Sequence, residues 1–344
     1  MSKKVLLFAA LIVVVVAALL YLLQPGEQEQ TADELVIYAY DSFTSDWGPG
    51  PRIAEAFEQE HGIAVQFVSV GDAGQVLQRA IAEKENPQAD ILIGIDNNLL
   101  YKAKREQVLS PYESPRLSEV PEELRFDPDH HVTPYDYGYF SILYDSKKIS
   151  EPPRSLEELT AERFADSLIL MDPRTSSPGL GFLLWTVERY GDDFTGYWKR
   201  LDDSILTITE GWDAGYGLFT NGEAPLVLSY TTSPPYHVEN EDTTRYRAAI
   251  FEEGHYLQIE GLGIVNGAPH RKAAEKFVDF ALGTRFQEIL PLTNWMYPVR
   301  EDVSLPDSFD YAPKPPRSLT LPAERIAQQR SDWIAAWTRA VTTD

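Results

Sequence analysis

The chain has 344 residues, a formal net charge of −23 and no cysteine. Its length exceeds what one hydrophobic core usually serves, so two lobes are expected, and its charge repels nucleic acid and anionic lipid while attracting small cations. The missing cysteines exclude disulfides, thiolate metal sites, cysteine nucleophiles and acylated-cysteine tethers.

Lys3 and Lys4 precede an unbroken apolar run from Val5 to Leu23, close to the ~20 residues that cross a bilayer. No A-x-A pattern follows, so the run is read as an export segment, either kept as an uncleaved anchor or removed as a signal. In both cases the positive end stays inside and the remainder lies outside the cytoplasm. Gln24 to Asp33 then forms a polar tether.

Beyond the tether the pattern predicts a strand over Leu35–Tyr40, a helix over Pro51–His61, a strand over Ala64–Val70, a helix over Gly74–Glu85 and a buried strand over Ala89–Ile95. This βαβαβ order belongs to a parallel sheet covered by helices. A second α/β stretch runs from Tyr139 to Glu260, with strands at Ser141–Tyr144, Ser167–Met171 and Leu226–Tyr230 and a helix starting near Ser177. From Gly261 the chain is read as largely helical, ending in Pro322–Val341, where Ile326, Trp333, Ile334 and Trp337 fall near helical spacing.

In open α/β sheets, small molecules bind beyond the carboxyl ends of strands. Several unusual loops occupy such positions. Ser176 and Ser177 precede Pro178 at a predicted helix start, where free N–H groups and hydroxyls can receive an anion, although simple helix capping explains the same residues. Tyr230, Thr231, Thr232 and Ser233 follow an apolar strand and offer hydroxyls; an ordinary proline turn is the alternative. Tyr40, Trp47, Trp212, Tyr236 and Trp295 sit in or beside segments rich in Gly, Pro, Asp or Asn. Several rings with nearby carboxylates suit a planar organic cation.

Catalysis has little support. His130 and His131 are adjacent, and neither they nor His237 and His255 make a metal-binding spacing; there is no G-x-S-x-G elbow, P-loop or dinucleotide fingerprint. No catalytic residue, metal or cofactor is expected.

The segments YAYDSFTSDWGPGP (38–51), IGIDNNLL (93–100), PYDYGYF (134–140), DPRTSSPGLGFLLW (172–185), GYGLF (215–219), LVLSYTTSPPYH (226–237), EGHYLQIE (253–260) and NWMYPV (294–299) resemble the periplasmic thiamine-binding receptors of bacterial ABC importers. The resemblance covers residue 35 to the C-terminus. It implies an α/β type II periplasmic binding protein, with two α/β lobes, a hinge and an interlobe ligand cleft. The expected division is 1–33 for signal or anchor plus tether, 34–137 for the first part of lobe 1, 138–260 for lobe 2, and 261–344 for the return to lobe 1 and the C-terminal helices. By motif, ligand contacts fall on Asp72, Ala73, Ser176, Ser177, Trp212 and Tyr230 through Ser233, with aromatic walls at Tyr40, Trp47, Tyr236 and Trp295. Ala73 stands where the family is expected to carry Gly.

The implied function is binding thiamine and its phosphates outside the cytoplasm, as a monomer that delivers them to a membrane permease and its ATPase, with Asp72 balancing charge or meeting the ligand's amine. A same-fold receptor for iron(III) or a polyamine is the main alternative, and the chain has no adjacent tyrosine pair for iron. A thiamine-degrading enzyme would need a nucleophile, typically cysteine. A structural surface protein would bind no small molecule.

Overall fold

The computed structural model describes residues 34–342. The N-terminal apolar run and the tether lie outside the described residues, and among those described no helix is long and apolar enough to cross a membrane.

The first lobe begins as the hydrophobic pattern predicts. Strand β1 (Glu34–Ala39) leads to helix α1 (Pro49–His61), β2 (Ala64–Ser69), α2 (Ala73–Ala82) and β3 (Ile91–Ile93). β1 pairs in parallel with both β2 and β3. All three residues of β3 are buried, which is why its sequence is continuously apolar rather than alternating.

Strand β4 (Thr133–Asp145) is longer than the predicted Ser141–Tyr144, and it passes from one lobe to the other. Beyond it come β5 (Leu168–Met171), α3 (Ser177–Tyr190), α4 (Phe194–Leu201), β6 (Ile205–Thr209), α5 (Trp212–Thr220), β7 (Leu226–Tyr230), α6 (Pro234–Glu241) and β8 (Tyr246–Ala249). Next is β9 (His255–Val265), a strand the sequence pattern did not reveal. It extends past Gly261, so the expected start of a helical region there is wrong; helices begin only at Arg271.

The principal strands form one ribbon in the order β2-β1-β3-β9-β4-β7-β5-β6. Up to Tyr139, β4 pairs antiparallel with β9; from Phe140 it pairs with β7 and β8. The lobes therefore meet inside a hydrogen-bonded strand rather than in a linker.

Helix α7 (Ala323–Thr342) closes the described chain and touches both lobes. Buried Trp337 meets Trp198 of α4 edge to face at 5.7 Å, a contact worth ~1 kcal/mol beyond the apolar area it covers. At its other end, Ile326 of α7 lies beside Tyr101 and Lys102 of the helix Leu100–Arg105 in lobe 1. Two fully buried side chains, Trp185 and Phe182, belong to α3, an almost wholly buried helix.

Candidate functional site

Loops leaving the carboxyl ends of β1, β2, β5, β6 and β7 converge on a cavity of about 550 Å³ between the lobes. The volume is that of a typical small-molecule site. The backbones of the two lobes come into contact at its edge: a Cβ on Gly74 would lie 2.2 Å from the carbonyl oxygen of Thr175, so only glycine fits there.

Asp72 is the N-cap of α2, and Gln75 completes a reciprocal capping box. Its carboxylate does more than cap its own helix. Oδ1 accepts from the N–H groups of Ala73 (2.7 Å) and Ser177 (3.0 Å), and Oδ2 accepts from Trp212 N–H (3.0 Å). One side chain of lobe 1 thus serves the starts of α2, α3 and α5, the last two in lobe 2. Burial raises its pKa, and these backbone N–H groups pull it back down. Asp72 lines the cavity, and its oxygens accept from backbone N–H groups of both lobes.

The aromatic wall is assembled from distant segments. Tyr236 of α6 stands between Trp295 (ring centroids 5.3 Å apart, planes at 89°) and Trp47 (6.4 Å, 62°). Trp212 stacks on Tyr216 at 4.6 Å, and its indole N–H donates to Ser229 Oγ at 2.9 Å. Trp295 has a left-handed φ of 57°, a conformation costly for a bulky residue. The strained backbone presents its ring to the cavity, and its buried indole N–H has no partner.

Six carboxylates line the cavity: Asp41, Asp72, Glu210, Asp213, Glu241 and Glu260. Among the described residues, the lining holds no lysine, arginine or histidine. Low-dielectric walls concentrate such a field, which favours a cation.

At the floor, Glu260 of β9 lies directly across the ladder from Asp136 of β4, beside a register shift at Glu260/Gly261. The phenols of Tyr40 (2.9 Å) and Tyr135 (3.1 Å) both donate to Glu260 Oε2. Asn294 Nδ2 donates to Asp136 Oδ2 at 2.5 Å and to the Tyr40 oxygen at 3.1 Å. Burial pushes the Glu260 carboxyl up to about 7, with the charge of Asp96 adding to it, and burial together with the charge of Glu260 holds Asp136 well above the carboxylate range. Two residues before Glu260 on β9, Gln258 receives the Tyr230 hydroxyl (2.6 Å) and donates to Asp96 (2.9 Å) and Ser177 Oγ (3.2 Å).

Of the residues singled out from sequence, Tyr40, Trp47, Asp72, Ala73, Ser177, Trp212, Tyr230, Ser233, Tyr236 and Trp295 line this one cavity. Three do not. Ser176 caps α3 by accepting from Gly179 N–H at 3.3 Å, as the capping reading has it. Thr231 and Thr232 are fully buried behind the wall; Thr232 points to the sulfur of Met296, and the Thr231 hydroxyl has no partner. Sequence reasoning missed Tyr216, Asn294, Asp136 and Glu260. The available signal was a pair of polar residues two apart, Gln258 and Glu260, inside an otherwise apolar run.

Residues 86–328 match the family model of bacterial extracellular solute-binding proteins. The chain belongs to that family. Among relatives of this solute-binding protein is the thiamine-binding periplasmic protein of Brucella melitensis, 43% identical over 315 residues, covering 91% of this chain and 93% of the relative. The Escherichia coli K12 protein of the same name is 42% identical, covering 90% and 93%. A solved structure, a periplasmic thiamin binding protein, superposes with a TM-score of 0.87 at 40% identity, covering 92% of this chain and 99% of that one. The solute-binding protein therefore has the expected type II periplasmic binding fold, with its cavity where two α/β lobes meet.

Proposed function

We propose that this chain is the extracytoplasmic receptor of an ABC importer, capturing thiamine and delivering it unaltered to a membrane permease and its ATPase. One observation carries the reading: aromatic rings and six carboxylates, without a single basic side chain, enclose the cavity of a chain 43% identical to a thiamine-binding protein. Trp47, Trp212, Tyr236 and Trp295 take the thiazolium and aminopyrimidine rings, where each desolvated cation–π contact is worth ~2 kcal/mol. The hydroxyethyl end lies toward Ser177, Tyr230 and Ser233. A phosphate there would draw on these hydroxyls. Enclosure by both lobes is compatible with nanomolar binding, about −12 kcal/mol.

Calorimetric titration of residues 34–344 with thiamine, its monophosphate and its diphosphate tests this reading. Binding of thiamine is expected, and failure of all three to bind refutes it. The segment Val5–Leu23 directs export in this reading. N-terminal sequencing of the mature protein separates an anchor from a removed signal.

A further inference from the structure

Asp136 and Glu260 occupy an arrangement that two ionised carboxylates cannot hold comfortably. They are register partners on β4 and β9. Asp136 is fully buried and Glu260 is 5% exposed. As register partners in an antiparallel pair they project from the same face of the ladder, with Cβ atoms roughly 5 Å apart. Both phenols serve one oxygen of Glu260, and Asn294 serves Oδ2 of Asp136, which leaves Asp136 Oδ1 buried without a donor.

Among the described residues no positive charge is hydrogen-bonded to the pair, and Arg330 of α7 faces Asp96 instead. Tyr40 faces the pair from the end of β1, Tyr135 from β4, Asn294 from the loop before Trp295, and Tyr230 from β7. Asp96, beyond β3, adds a third acid. It is already satisfied by Gln258 and by the N–H groups of Asn98 and Leu99. Since the cavity lining has no basic side chain either, neutralisation must come from a proton or from the ligand.

We propose that the empty receptor holds one proton between Asp136 and Glu260 and releases it to solvent when an organic cation settles against Glu260. This rests on the reading of the cavity as a thiamine site. The shared proton supplies the donor that Asp136 Oδ1 lacks. A ligand cation replaces it, so one positive charge leaves as another enters and the floor with its counter-charge keeps the same single negative charge in both states. A neutral molecule of the same shape leaves the proton in place and gains nothing from the pair. Glu260 is thereby the residue that selects for charge, and Asp136 the residue that tunes it.

The test is titration of the protein with thiamine in two buffers of unlike ionisation enthalpy, between about pH 5 and 8. Nearly one proton released per thiamine is expected just below pH 7, falling toward none at the alkaline end. Affinity should weaken by up to about tenfold per pH unit below that point. Glu260→Gln, whose amide can donate to Asp136, should bind with no proton release and a flat pH profile. Infrared spectra of the empty wild-type protein should show a protonated carboxyl band that thiamine abolishes. Thiamine binding without proton release at any pH overturns the proposal and leaves the receptor reading standing. If thiamine does not bind, the receptor reading fails, and absence of the carboxyl band in the empty protein overturns the shared proton separately.

Discussion

Asp72 and Glu260 are carboxylates in the wall of the same cavity, yet they are satisfied in opposite ways. Asp72 sits where three helices begin, and backbone N–H groups from both lobes fill its oxygens. Glu260 sits in mid-strand, where the backbone is consumed by the ladder and its nearest charged neighbour is another acid. Helix starts offer unpaired donors, and strands do not. The same functional group therefore becomes a fixed link between lobes in one place and a titrating floor in the other.

Removing the link should have the largest effect. Asp72→Ala leaves the N–H groups of Ser177 and Trp212 without their acceptor and is expected to cost roughly 3 kcal/mol, or about a hundredfold in thiamine affinity. A smaller loss than that of the ring substitutions would mean that the Asp72 link between the lobes does not support binding. Trp212→Ala and Tyr230→Ala are each expected to weaken binding by more than about tenfold, measured by calorimetry. Near-wild-type affinity in both would move the ligand out of this pocket.

The floor should respond to pH in the opposite sense from an ion-paired carboxylate. Glu260 has its folded pKa raised to about 7 from an ordinary 4.5, so the folded state retains a proton that the unfolded chain has lost. Stability is full below the unfolded pKa and declines as pH rises toward the folded one. Glu260→Gln should therefore raise the unfolding free energy at alkaline pH by about 1–3 kcal/mol and leave it nearly unchanged near pH 4. Denaturant melts at the two pH values measure this, and equal effects at both would remove titration from the explanation. The smallest effect belongs to Ser176→Ala. Loss of one helix cap costs about 1 kcal/mol of stability, and thiamine affinity should stay within about twofold.

The walls of the site were legible in the sequence, whereas its floor was not. Tyr40, Asp72, Ser177, Trp212 and Tyr230 follow apolar strands in loops of recognisable composition, and strand ends converge in an open α/β sheet. Thr231 and Thr232 share the composition of their neighbours, but the chain turns them behind the wall. The floor depends on contacts that no local pattern encodes. Glu260 and Gln258 alternate with apolar residues as on a strand with one wet face. Their burial comes from Tyr40 and Asp96, which are 220 and 162 residues away from them respectively. For the same reason β9 and the first half of β4 escaped notice, since Asp136 and Glu260 interrupt the hydrophobic runs by which strands are recognised.

The course of β4 through both lobes has a mechanical consequence. Because its pairing passes from β9 to β7 and β8 without a break at Tyr139 and Phe140, the lobes cannot swing on a single loosened bond. Relative rotation has to be taken up as a change of pitch along several residues of a bonded ribbon. Such a strand resists as a leaf spring does, with a restoring torque distributed along the blade, and Glu260 and Asp136 lie on the strands that form that blade.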